Sequence, residues 1–196
     1  FDEVLADAQK LGYAEAEPSL DVDGIDAAHK LTILAAIAFG KPPQFDKVAI
    51  SGIRDVSAVD FAYAKQLGFR IKLVGTAEPG RMPRMQTCLL PMSTQLAKVD
   101  GVLNAVEFDA DPVGSVVLTG PGAGSGATSS AVLSDLVDLA CDRIPFTFGR
   151  PVDALADGSA VENGGGPDTP FYVRLMVVDK PGVLADITSV LQIHDI

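Results

Sequence analysis

Five short apolar runs follow one another between residues 47 and 120, separated by stretches carrying Gly, Pro or Asp. They read "KVAISGI", "FRIKLVG", "QTCLLP", "VLNAVEFDA" and "GSVVLTG". Runs of this length, rich in β-branched side chains and bounded by turn residues, are expected to be strands. Helical patterns surround them. Val4, Leu5, Ala8 and Leu11 share one face of a short helix over residues 2–11, ended by Gly12. A loop is expected from Tyr13 to about Gly24, then a helix over residues 25–39 stopped by Gly40 and Pro42-Pro43. Beyond Lys30 that helix is apolar on most sides, the pattern of a buried central helix. "SAVDFAYAKQLG" predicts a helix with Ser57 as N-cap and Asp60 completing a capping box. "TSSAVLSDLVDLACDRI" predicts another, capped near Thr128. Successive strands with helices before and after predict an α+β fold, a largely antiparallel or mixed sheet covered by helices.

Composition excludes several functions. A net charge of −11 over 196 residues, with scattered Lys and Arg, is unsuited to a phosphate-binding face, so no nucleic acid partner is expected. "LTILAAIAFG" is ten residues long, short of the roughly 18 that a membrane span needs. No basic n-region opens the chain, which points to a cytoplasmic protein. Cys88 and Cys141 have no metal-ligand spacing and read as small apolar residues in a reducing compartment. The chain begins "FDEVLADAQK" without Met, which suggests a cut inside a longer protein.

The stretch "DVDGIDAAHK", residues 21–30, has the look of a calcium loop. With Gly24 at the sixth position of an EF-hand, Ser19, Asp21 and Asp23 take the first, third and fifth positions. The twelfth, which needs a bidentate Glu, is Lys30. An ammonium cannot ligate a cation, so no metal is expected. Asp26 and Lys30 are four apart and share a helix face. Such a pair is ordinarily a surface ion pair. Here Lys30 stands where the helix turns apolar, and a partly desolvated lysine among carboxylates can serve as a proton donor. The nearby acids could also hold a substrate's ammonium. Spacing alone leaves both readings open.

A second stretch, "GPGAGSGATSS", carries G-x-G-x-x-A from Gly122 to Ala127 between a strand and a helix. A dinucleotide fingerprint needs a second parallel strand ending in an acid, and "IPFTFGRP" offers none. No Lys-Ser/Thr follows, so it is not a P-loop. A tight turn capping a helix accounts for it equally well. His29 and His194 are isolated and read as helix surface.

"LGYAEAEPSLDVDGIDAAHK" closely resembles the homoserine dehydrogenase signature through Gly12, Tyr13, Glu15, Pro18, Asp21, Gly24, Asp26 and Lys30. "LGFRIKLVG" and the stretch from Val99 to Ala140 resemble later parts of that family's substrate domain. Gln86 and Thr87 depart from the pattern, standing where relatives usually carry His and Pro. The resemblance implies that Lys30 is the acid/base. It makes Glu15, with Asp21, Asp26, Tyr13 and Gly12, the substrate pocket, and lets Gly124 and Gly122 approach the nicotinamide of NADP or NAD. Most of that cofactor would be held by an N-terminal nucleotide-binding domain that precedes the signature in the family. The implied reaction interconverts L-homoserine and L-aspartate 4-semialdehyde, in a homodimer or higher homo-oligomer.

From Gly149 to Pro170 the composition shifts to Gly, Pro, Asp and Ser, as in a linker. "VVDKPGVLADITSVL" then resembles the first strand and helix of an ACT domain, with Pro181 suited to helix position N1, and implies a threonine effector. The expected division is a catalytic domain over residues 1–148, a linker over 149–170 and an incomplete β-α, ACT-like unit over 171–196. One alternative is a fragment that dimerises and senses an amino acid without catalysis. Another is thiohemiacetal chemistry on Cys88, disfavoured because no His lies near it in sequence.

Overall fold

The computed structural model describes residues 19–155 and 170–195. The expected helix over residues 2–11 lies outside them. The chain divides into two units, residues 1–165 and 166–196.

The first unit opens with a single helical turn, α1 (Ser19–Val22), where a loop was expected. Helix α2 (Ile25–Phe39) follows and ends at left-handed Gly40, at the bounds the sequence predicts. A 3-10 turn (Phe45–Lys47) leads into β1 (Ala49–Ile50), much shorter than the run "KVAISGI". Helix α3 (Ala58–Gln66) starts at Ser57, and Asp60 completes the capping box. The Asp60 carboxylate accepts the Ser57 backbone N–H at 2.8 Å and its hydroxyl at 2.6 Å. Strands β2 (Phe69–Thr76) and β3 (Arg84–Pro91) pair antiparallel along their whole length, Phe69 opposite Pro91 and Thr76 opposite Arg84. Strand β1 joins β3 in parallel, so the sheet is mixed, in the order β1-β3-β2.

Helix α2 lies on this sheet through Ala28, Thr32 and Ala36, spaced one turn apart. Small side chains let the helix axis approach the strands. Ala28 packs with Val48 and Met85, flanked by Ala27, Leu31 and Leu73. The Thr32 hydroxyl donates to the Ala28 carbonyl at 2.8 Å, so its burial leaves no polar atom unpaired. The expectation of a buried central helix is met on the sheet side only: Ile33 and Ile37 are half exposed on the side away from the sheet.

Strands β4 (Leu103–Ala110) and β5 (Gly114–Pro121) form a separate antiparallel hairpin. Helix α4 (Ser125–Ala140) follows. Its N-cap is Gly124, four residues before the expected Thr128 cap, and the Thr128 hydroxyl instead turns back to the Gly124 carbonyl at 3.2 Å. The two sheets and their helices make the α+β fold expected. The start of the expected linker is packed: the Arg150 guanidinium lies against Gly40 and Leu155 is buried.

In the second unit, α5 (Val183–Ile193) forms as expected. Its N-cap is Gly182, so Pro181 precedes the cap and does not occupy N1. The strand expected ahead of that helix in the β-α unit has no ladder among the described residues. A strand exists by pairing, and the described residues of this unit include no second strand.

Candidate functional site

The acidic stretch is built on α1 and the start of α2. Gly24 joins them at φ 78°, a left-handed conformation that glycine adopts without strain. An added Cβ there would also meet Met85 Cγ at 3.4 Å and Leu73 Cδ2 at 3.5 Å, so the junction is seated on the sheet. The Gly24 N–H donates to the Asp21 carbonyl at 3.1 Å, and the Ala28 N–H to the Gly24 carbonyl at 2.9 Å.

Lys30 and Asp26 are brought together: Lys30 Nζ donates to Asp26 Oδ2 at 2.6 Å. Asp26 occupies the first turn of α2, where the helix dipole favours a carboxylate. The expected desolvation of Lys30 is not met by the described residues, because its side chain is 56% exposed. The lysine shares the outward face of α2 with exposed Ile33 and Ile37. Asp21 is exposed on α1. Gly12, Tyr13 and Glu15 lie outside the described residues.

Asp23 has another role. The Arg54 guanidinium grips it with two donors, Nε to Oδ1 and Nη2 to Oδ2, the latter at 3.1 Å. Those hydrogen bonds hold the Asp23 carboxyl below the ordinary aspartate value of 3.8. Arg54 Nη2 also donates to Ser19 Oγ at 3.1 Å. Sequence reasoning missed this arginine. The available signal was Gly52 inside a strand pattern, a mark of close backbone approach. An added Cβ at Gly52 would stand 2.2 Å from the Val22 carbonyl oxygen.

Gly122 and Gly124 sit at the β5–α4 junction. The Gly122 N–H donates to the Val102 carbonyl at 2.9 Å, and an added Cβ would strike the Asn104 amide at 2.1 Å. Gly122 is thus occupied in packing on β4. Beside Gly124 there is open space, with no heavy atom within 4 Å of an added Cβ. The first N–H groups of α4, which have no partner within the helix, follow directly after Gly124.

Cys88 and Cys141 are free thiols. Burial pushes the Cys88 thiol up, away from the thiolate that thiohemiacetal chemistry requires. His29 packs its ring on Phe45 at 4.2 Å between centroids, and His194 closes the C-terminus of α5. Among the described residues, no group of three His, Cys, Asp or Glu is placed to hold a metal, and no helix is long and apolar enough to cross a membrane.

Residues 1–137 match the homoserine dehydrogenase family. The chain belongs to that family. It is 45% identical over 201 aligned positions to a homoserine dehydrogenase of Pseudomonas aeruginosa, covering 97% of this chain and 46% of that protein. The homoserine dehydrogenase of Neisseria gonorrhoeae is 39% identical with the same coverage. Among solved structures, a homoserine dehydrogenase from Thiobacillus denitrificans superposes with a TM-score of 0.75 at 42% identity, over 97% of this chain and 46% of that one. A hyperthermophilic archaeal homoserine dehydrogenase in complex with NADPH superposes at 0.59 and 31% identity, over 72% of this chain and 40% of its own. The chain therefore spans about half the length of these homoserine dehydrogenases.

Proposed function

We propose that these residues are the substrate-binding and catalytic part of an NAD(P)-dependent homoserine dehydrogenase, interconverting L-homoserine and L-aspartate 4-semialdehyde. The observation that carries the reading is the Lys30–Asp26 pair, set on a rigid helix directly after the acidic stretch. Lys30 exchanges a proton with the oxygen on the reacting carbon: it takes the hydroxyl proton in oxidation and returns one to the carbonyl in reduction. Asp26 orients the Lys30 ammonium. Glu15 and Asp21 hold the substrate's ammonium, and Tyr13 and Gly12 complete that wall. A bound NADP or NAD supplies the hydride acceptor or donor. Gly124 and Gly122 give its nicotinamide end one wall, while its pyrophosphate and ribose are held mainly outside these 196 residues.

Ile33 and Ile37 support the same reading. They continue exposed apolar surface along the helix from Lys30, on which the rest of the site can close and exclude water. The exposed apolar residues of β4, β5 and α4 support a homodimer or higher homo-oligomer. A threonine effector acting through residues 171–196, and a cytoplasmic location, complete the proposal.

The test is homoserine-dependent reduction of NAD and NADP by a protein that carries this segment behind a nucleotide-binding domain, beside the 196-residue chain alone. Turnover by the longer protein is expected, with none by the chain alone. Glu15→Gln is expected to raise KM for homoserine and leave kcat in place, because binding made equally in ground and transition states affects KM only. No turnover by the longer protein would overturn the reading, and a Glu15→Gln protein with unchanged KM and no kcat would reverse the roles.

A further inference from the structure

We propose that Arg54 is a positioning residue for the acidic substrate stretch, splinting α1 so that Asp21, Asp26 and Lys30 are presented in one geometry. This rests on the functional reading above. Helix α1 is four residues long. One turn fixes several residues for a single internal hydrogen bond, so it does not persist without outside support. The support comes from residues 52–54, in the loop after β1. The Ile53 N–H donates to the Val22 carbonyl at 2.9 Å. Arg54 reaches both ends of the turn, Ser19 at its start and Asp23 just past its end. Thr87 on β3 fixes the supporting loop in turn, its hydroxyl donating to the Gly52 carbonyl at 3.1 Å.

The chemistry selects arginine. A planar guanidinium meets both carboxylate oxygens and a hydroxyl with donors in fixed directions, which an ammonium cannot do. The grip also takes Asp23 out of the set of acids available to a substrate. Asp23 is followed at once by Gly24, where α2 begins. A turn released from Arg54 leaves Asp21 free to move while Lys30 stays on α2. The defect should therefore appear in substrate binding more than in proton transfer.

The experiment uses Arg54→Gln, Arg54→Lys, Asp23→Asn and the Arg54→Gln/Asp23→Asn double variant, in the longer protein that turns over homoserine. Arg54→Gln is expected to raise KM for homoserine about tenfold, the scale of a lost charge-assisted hydrogen bond. Its kcat should stay within about threefold of the unsubstituted protein, with the same pH dependence of kcat. Arg54→Lys should recover only part of the loss. Asp23→Asn should raise KM in the same direction but by less, because Arg54 keeps its Ser19 contact, and the double variant should be no worse than Arg54→Gln alone, because the Asp23 contact is lost in both. Unchanged melting of each variant separates this effect from unfolding. Where melting falls, the isosteric Asp23→Asn variant decides. A Lys30-dependent turnover whose KM ignores both Arg54→Gln and Asp23→Asn would overturn the proposal and leave the functional reading standing. Absence of homoserine turnover in the unsubstituted protein would overturn the functional reading, and the proposal with it.

Discussion

Two parts of the first unit use their apolar residues in opposite ways. Around β1, β2 and β3, small side chains on α2 meet Val48, Met85 and Leu73, and the helix and sheet bury one another. In the hairpin and helix β4–β5–α4, no residue of α4 is buried, and Val132, Leu133, Leu136, Val137 and Leu139 are all exposed. Both parts form full ladders, β2 with β3 and β4 with β5. The contrast separates two demands that are often met together: ladders are local and close within a hairpin or a helix, while packing needs a second surface. A two-stranded hairpin alone is marginal in water, so the second part depends on surface beyond its own contacts. The Lys30 face of α2 resembles the second part more than the first, with Ile33 and Ile37 exposed beside the lysine.

The largest expected effect that sharpens this contrast is on stability. Met85 is 4% exposed in the core. Met85→Ala is expected to destabilise the dilute, monomeric chain by about 2–5 kcal/mol, the usual range for large-to-small core substitutions. Leu136 is 56% exposed, and Leu136→Ala should change the same transition by only about 0.5 kcal/mol, as exposed positions do. Urea titrations of the two variants check this. Equal losses would mean that α4 is packed in solution and the contrast is false.

A smaller effect concerns the anchoring of α1. The Asp23 carboxyl is held below its ordinary value, so protonation weakens the Arg54 grip only as pH falls under 3.8 and through the folded value. The contribution is complete at higher pH. Carbon NMR titration of Asp23 should give a midpoint below 3.8, moving up to the ordinary value in Arg54→Gln. A midpoint already ordinary in the unsubstituted chain would mean that the grip is absent in solution.

What was legible in the sequence follows the same division between local and distant contacts. The bounds of α2 are written in Gly40 and the prolines after it, and the start of α3 in Ser57 and Asp60. Each depends on residues within a few positions. The signature was legible because Gly24, Asp26 and Lys30 lie on one continuous turn-and-helix stretch. The Arg54–Asp23 grip joins residues 31 apart and has no periodicity to betray it. The half-exposed face of α2 was misread for the same reason: an apolar pattern marks surface suited to burial and cannot say what buries it. The strand expected at the start of the β-α unit has no ladder among the described residues for the same reason, since its propensity is local and its pairing is not.

The central claim is that Lys30 carries the proton in homoserine oxidation, and its most direct test is kcat for Lys30→Ala in the longer protein. Lys30 is exposed on α2 and paired only with its helix neighbour Asp26 among the described residues, so the substitution leaves the core untouched. A positioned proton donor contributes about 10²–10⁴-fold. A loss of that size is expected, with homoserine still bound. A kcat within a few-fold of the unsubstituted protein would contradict it.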